Sequence, residues 1–156
     1  AGAIPRLVDL GVRPATIAPA VNVVIAQRLV RILCVCKKEQ PRDPAMQEKL
    51  KAVLEKLPPR VDRAPYEEAL AKGVEYVPAG CDVCNGFGYK GRKAIFEFLQ
   101  VTSEIQAAIG KEISGLQITE IAGRQGMVPM QYDGLLKAIL GLTTIDEVVS
   151  VTGPIV

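Results

Sequence analysis

The chain has 156 residues, 49% of them hydrophobic, a size that suits one compact domain or two small ones. Nineteen basic and 17 acidic residues are mixed along it and leave a net charge of +2, which excludes a nucleic-acid-binding polycation. It holds no histidine, so Ser–His and Cys–His nucleophile pairs and histidine metal ligands are excluded within it.

With no Trp and only 4% aromatic residues, the core must be built from Leu, Ile and Val. No run of about 18 apolar residues exists, so no membrane-spanning helix is expected. The most apolar stretch, TIAPAVNVVIA, is broken by Pro19 and Asn22 and reads as buried core. The opening AGAIPRLVDL has neither a basic n-region nor an apolar h-region, which argues against a signal peptide. It starts without Met in an amphipathic pattern, so the expectation is that the whole protein begins earlier and that this is its C-terminal piece.

In chain order, AIPRLVDLG predicts a short helix with Ile4, Leu7 and Val8 on one face and Gly11 at its end. Pro14 starts a second helix carrying Ile17, Ala20 and Val21. Val24 to Leu33, rich in β-branched residues, predicts a buried strand. After Cys36 the composition turns charged and proline-punctuated, yet Met46, Leu50, Val53, Leu54 and Leu57 recur at helical spacing. Asp43 is the expected N-cap, with Pro44 at the first helical position. A shorter helix is predicted over Tyr66 to Lys72, ending at Gly73. VEYVP and KAIFEFLQV predict strands on either side of the motif GCDVCNGFGYKGR. The remainder predicts helices, with capping boxes at Ser103/Gln106 and Thr144/Glu147 and breaks at Gly126 and Gly141.

The four cysteines form two close pairs, Cys34-x-Cys36 and Cys81-x-x-Cys84. The second spacing lets two thiolates face one ion from a tight turn. Gly86 and Gly88 would allow backbone amides to point at the sulfurs. Lys37, Lys38, Lys90, Arg92 and Lys93 flank the pairs, and cations lower thiol pKa. Zn²⁺ held by four thiolates in a closed tetrahedral site is the reading this favours, in a structural role. The one-residue first spacing makes chelation by both Cys34 and Cys36 harder. Four free thiols acting as small hydrophobes, and a disulfide or redox pair, are the alternatives.

Four stretches resemble the C-terminal part of the type II secretion and type IV pilus assembly ATPase family, in that family's order. AGAIPRLVDLGV is similar to the segment after its histidine box, and IAQRLVRILC to the end of its RecA-like core. GCDVCNGFGYKGRKAIFEF is similar to its signature G-C-x-x-C-x-x-x-G-Y-x-G-R-x-x-I-x-E. RQGMVPMQYDGLLKAILGLTTIDEVVSVTG is similar to its closing helices.

The resemblance implies an α+β, helix-rich chain in three parts. Residues 1–33 would end a RecA-like α/β ATPase core, 34–92 would form a tetracysteine zinc-binding region with a helical insert, and 93–156 a strand and a helical subdomain. It implies Cys34, Cys36, Cys81 and Cys84 as ligands of a structural Zn²⁺. It implies a cytoplasmic homo-hexameric P-loop ATPase, peripheral at the inner membrane and docked on a membrane-embedded platform protein. ATP turnover would drive pilin or pseudopilin assembly, with ATP and Mg²⁺ bound only in the full-length protein. No G-x-x-x-x-G-K-[ST] occurs in the chain, so the fragment alone is expected to be inactive, with no catalytic residue in it and no nucleic acid as partner. Arg28 and Arg31 are candidates to meet a nucleotide phosphate or a neighbouring subunit, against the alternative of a solvated strand face. A competing reading is a free-standing zinc module. CDVCNGFG fits the C-x-x-C-x-G-x-G unit of the DnaJ-type chaperone domain, although it occurs once here, and a nucleic-acid ribbon would want basic residues clustered with aromatics.

Overall fold

A computed structural model describes residues 2–111 and 114–155. The chain divides into two compact units, Ala1–Ala26 with Glu97–Val128, and Gln27–Phe96 with Pro129–Val156. Two strands, β1 (Val23–Leu33) and β4 (Tyr89–Gln100), pair with each other, and each begins in one unit and ends in the other.

The first unit carries helices α1 (Ala3–Asp9), α2 (Pro14–Ala20), α5 (Ser103–Gly110) and α6 (Gly115–Arg124). Its core is aliphatic, as composition requires: Ile4, Ile17, Leu99, Ile105, Ile109 and Ile118 are all buried. Ile105 and Ile109 lie four apart on α5, and Ile118 and Ala122 four apart on α6, so each helix turns one stripe inward. The cap of α5 is Thr102, whose hydroxyl accepts from the Ile105 amide at 3.4 Å, so the cap lies one residue before the one expected at Ser103. Helix α6 carries a full capping box that the sequence reading missed. Gln117 N–H donates to Ser114 Oγ at 3.3 Å, and Ser114 N–H donates to Gln117 Oε1 at 3.0 Å.

The second unit holds β2 (Lys38–Pro41), α3 (Pro44–Glu55), α4 (Ala64–Ala71), β3 (Val74–Val77), α7 (Met130–Ile139) and α8 (Ile145–Thr152). Strands β2 and β3 pair antiparallel, from Lys38 opposite Val77 to Pro41 opposite Val74. The helical insert therefore leaves and returns through one strand pair. Asp43 caps α3 as expected, and Leu50, Val53 and Leu54 form its buried stripe. Arg42 is buried beneath the insert, where its guanidinium donates to Gln47 Oε1 at 2.7 Å and to the Val74 carbonyl. That bond ties the start of α3 to β3.

Helix α7 packs on α4, β3 and α8. It approaches α8 closely because residue 134 is glycine: a Cβ there would lie 2.7 Å from Val148 Cγ1. The α7–α8 loop satisfies backbone groups of β1. Leu33 N–H donates to the Leu142 carbonyl at 2.9 Å, and Thr143 Oγ1 donates to the Arg31 carbonyl at 2.7 Å. Thr144 caps α8, accepting from the Glu147 amide at 3.2 Å. The reciprocal half of the expected box is not used, because the Glu147 carboxylate turns to Arg31 instead.

Candidate metal centre

The strand pairings build the site. β1 runs into the Cys34–Lys37 turn and out into β2, while β3 runs into Cys81 and the chain leaves as β4. Because β1 pairs with β4 and β2 with β3, the two cysteine turns must lie side by side. Lys37 N–H closes the first turn on the Cys34 carbonyl at 3.0 Å, and Cys34 N–H ties it to the second through the Gly88 carbonyl at 2.9 Å.

The second turn is a single 3₁₀ turn over Asp82–Cys84, with Asn85 left-handed at its end. Two backbone amides point at one sulfur: Gly88 N–H donates to Cys84 Sγ at 3.1 Å and Cys81 N–H at 3.2 Å. Gly88 aims its amide there at a φ of +73°, and a Cβ would overlap Pro78. Gly86 does not share the task expected of it, since its amide donates to the Cys81 carbonyl at 3.0 Å.

All four sulfurs lie within 4.8 Å of one another, with Cys34 and Cys84 buried and Cys36 and Cys81 half-buried. Cys34 to Cys81, Cys36 to Cys84 and Cys81 to Cys84 are each 3.8 Å, and all four thiols are free. A regular tetrahedron of sulfurs about 2.3 Å from a central Zn²⁺ has edges of about 3.8 Å, the bond length multiplied by roughly 1.63. The donor set therefore has the size and chemistry for one tetrahedral thiophilic ion. The short first spacing does not prevent it: Cys34 reaches Cys81 while Cys36 reaches Cys84, so each sulfur of the first pair meets a different sulfur of the second.

The thiols are not equivalent. Burial pushes the Cys84 thiol up, but the amides of Cys81 and Gly88 and the neighbouring thiols outweigh it and bring the pKa down to about 6. Burial and hydrogen bonds from the other three thiols push Cys36 up to about 11. The expected cations contribute less than the sequence suggests. Lys37 is spent elsewhere: its Nζ donates to the Gly141 carbonyl at 2.6 Å and sits 4.3 Å from the Tyr76 ring centre. Backbone amides, not flanking lysines, favour the thiolate at Cys84.

Arg28 and Arg31 lie on β1 next to this region, and both face helix α8. The Arg28 guanidinium donates to the Val151 carbonyl. Arg31 is ion-paired with Glu147 and lies 4.3 Å over the Tyr89 ring. The sequence reading missed Glu147 as the partner of Arg31, because a contact 116 residues away leaves no local pattern.

The family model described as "Type II/IV secretion system protein" matches residues 1–150. The chain is 43% identical over 154 residues to the "Type IV pilus assembly ATPase PilB" of Thermus thermophilus, covering 97% of this chain and 16% of that protein. It is 36% identical over 152 residues to the protein of the same name in Pseudomonas aeruginosa, covering 96% and 24%. With the "Type II secretion system protein E" of Pectobacterium carotovorum it shares 35% identity over 153 residues, covering 97% and 27%. The chain thus spans between 16% and 27% of the length of these relatives.

Proposed function

From the chain's membership of the type II/IV secretion system protein family, we propose that it is the C-terminal, metal-stabilised part of a motor ATPase whose ATP turnover drives assembly of pilin or pseudopilin subunits. The names of its relatives support the activity, and the cluster of four cysteine sulfurs supports the role of this part. Chemistry on ATP and Mg²⁺ belongs to segments of the full-length protein outside this chain. Within it, Gly110-Lys111 is followed by Glu112 where that chemistry needs Ser or Thr, so the sequence carries no G-x-x-x-x-G-K-[ST].

Zn²⁺ is the ion we assign to Cys34, Cys36, Cys81 and Cys84, where it would neutralise thiolate charge and cross-link two turns, with no open position for a substrate. The chain's own groups then do the structural work. Cys34 and Cys36 fix the exit of β1, Cys81 and Cys84 fix the entry to β4, and the Gly88 and Cys81 amides hold Cys84 in its ionised, ligating form. Apparent binding energy in small sulfur-zinc folds is on the order of 10 kcal/mol, enough to make this region's order depend on the ion.

We further assign the full-length protein a homo-hexameric form, a cytoplasmic position peripheral to the inner membrane, and an inner-membrane platform protein as partner. Arg28 and Arg31 serve, on this reading, to hold α8 on β1 at or near a subunit boundary. The observation that carries the reading is a set of four cysteine sulfurs within 4.8 Å of one another, in a chain that the family model matches almost end to end. The test is deletion of the whole protein in its own bacterium, with return of the wild type or of a Cys81→Ser, Cys84→Ser double variant. Loss of surface pili or of secreted enzymes, restored by wild type alone, is expected. Unchanged pili and secretion after deletion would contradict it.

A further inference from the structure

Three large apolar side chains left in solvent sit on the cysteine turns themselves. Val35, between Cys34 and Cys36, is 87% exposed; Val83, between Cys81 and Cys84, is 54% exposed; Phe87, where the second turn exits, is 75% exposed. None of them is needed to shape the turns, which are closed by backbone hydrogen bonds. Scattered exposed apolar residues are ordinary on any surface, but here they share two short turns whose sulfurs meet within 4.8 Å.

Cations border this tip. Lys38 begins β2, and Lys90 and Arg92 follow Phe87 on β4; all three are exposed. Among the described residues none of the three has an ion-pair or side-chain hydrogen-bond partner. Phe and Arg are among the residues enriched at protein–protein interfaces, which have an apolar centre and a polar rim.

The geometry points to this tip, Val35, Val83 and Phe87 rimmed by Lys38, Lys90 and Arg92, as a docking surface for an acidic, apolar segment of a partner protein. Charge complementarity selects the acidic partner. A bilayer is an alternative occupant that the test below distinguishes. Nucleic acid fits less well, because two of the three apolar side chains are aliphatic and offer no ring for stacking. The inference rests on the reading of the cysteines as a metal site, since the ion would hold the two turns as one surface.

The test uses the full-length protein in cells that make its machine, with photoreactive benzoylphenylalanine at Val35 or Phe87 and crosslinks mapped by mass spectrometry. The expected result is a crosslink to one segment of a partner protein with carboxylates among apolar residues. Lys90→Glu with Arg92→Glu should lower the yield about tenfold, and acid-to-lysine changes in the mapped segment should restore it. Crosslinks to lipid, to nucleic acid, to the protein's own chain or a second copy, or to nothing would overturn the proposal, as would a yield untouched by charge reversal. Metal content is measured on each variant in parallel. Absence of metal in the unaltered protein defeats the reading of the cysteines, whereas full metal content with no partner crosslink defeats the docking surface alone.

Discussion

Glu147 and Arg31 stand 116 residues apart, and one carboxylate takes both the backbone N–H of Arg31, at 3.0 Å, and its guanidinium. Glu147 is 9% exposed, so its charge is satisfied almost wholly by one residue of β1. The pair fixes the first turn of α8 on that strand, while Arg28 holds the last turn through the Val151 carbonyl.

Glu147→Gln should therefore destabilise the second unit, with a fall in Tm of about 3 °C by calorimetry. The effect should depend on pH with a definite sign. The Arg31 hydrogen bond and charge hold the Glu147 carboxyl below its ordinary value, against the opposing effect of burial. A carboxyl lowered on folding stabilises above its unfolded pKa, and that contribution fades as pH falls through the lowered folded value. The gap in Tm between wild type and Glu147→Gln should be full at pH 7 and close below about pH 4.5. A gap that persists unchanged at pH 3 would contradict the assigned role.

Gly88→Ala tests how the backbone serves the sulfurs. The new Cβ would be strained at a φ of +73° and would overlap Pro78, so the amide could no longer aim at Cys84. Groups that orient a ligand without binding the ion typically contribute 10- to 100-fold in affinity, and a loss of about tenfold is expected here in competition with a chromophoric chelator. Gly86→Ala carries the same backbone strain, at a φ of +80°, but should cost less affinity, because the Gly86 amide donates to a carbonyl and not to a sulfur, and no atom lies within 4 Å of a Cβ built there. Equal losses from the two would contradict the assignment.

Much of this was legible because local rules decide it. The helix over Pro44–Glu55, its Asp43 cap and its apolar stripe follow from spacing alone, and the pairing of the cysteines points to the cluster in which all four sulfurs lie within 4.8 Å of one another. Strand β2 was not legible. Lys38, Glu39, Gln40 and Pro41 are all exposed, with no alternation to read, and the strand exists because β3 offers it a partner. Nor was the role of Asp133 legible: it accepts from the Phe96 amide at 2.8 Å and pairs with Lys137. Glu147 misled because a carboxylate in a helix's first turn fits a local cap, and only tertiary structure supplies the stronger donor.

Two substitutions probe the packing of α7. Leu135→Ala removes a fully buried side chain and should cost about 2–5 kcal/mol in urea unfolding. Gly134→Ala acts in the opposite sense, forcing a methyl within 3.0 Å of both Val148 methyls, and should cost about 1–3 kcal/mol by overpacking. Gly134→Ala combined with Val148→Ala should recover part of that loss, because the clash partner is gone. No recovery would mean that α7 and α8 meet elsewhere.

The central claim is that four sulfurs from two distant turns hold one tetrahedral ion. X-ray absorption at the zinc edge, on full-length protein purified under reducing conditions without added metal, tests it most directly. The account predicts one zinc per chain with four sulfur neighbours at about 2.3 Å. A protein free of bound metal, or zinc surrounded by oxygen or nitrogen, would contradict it.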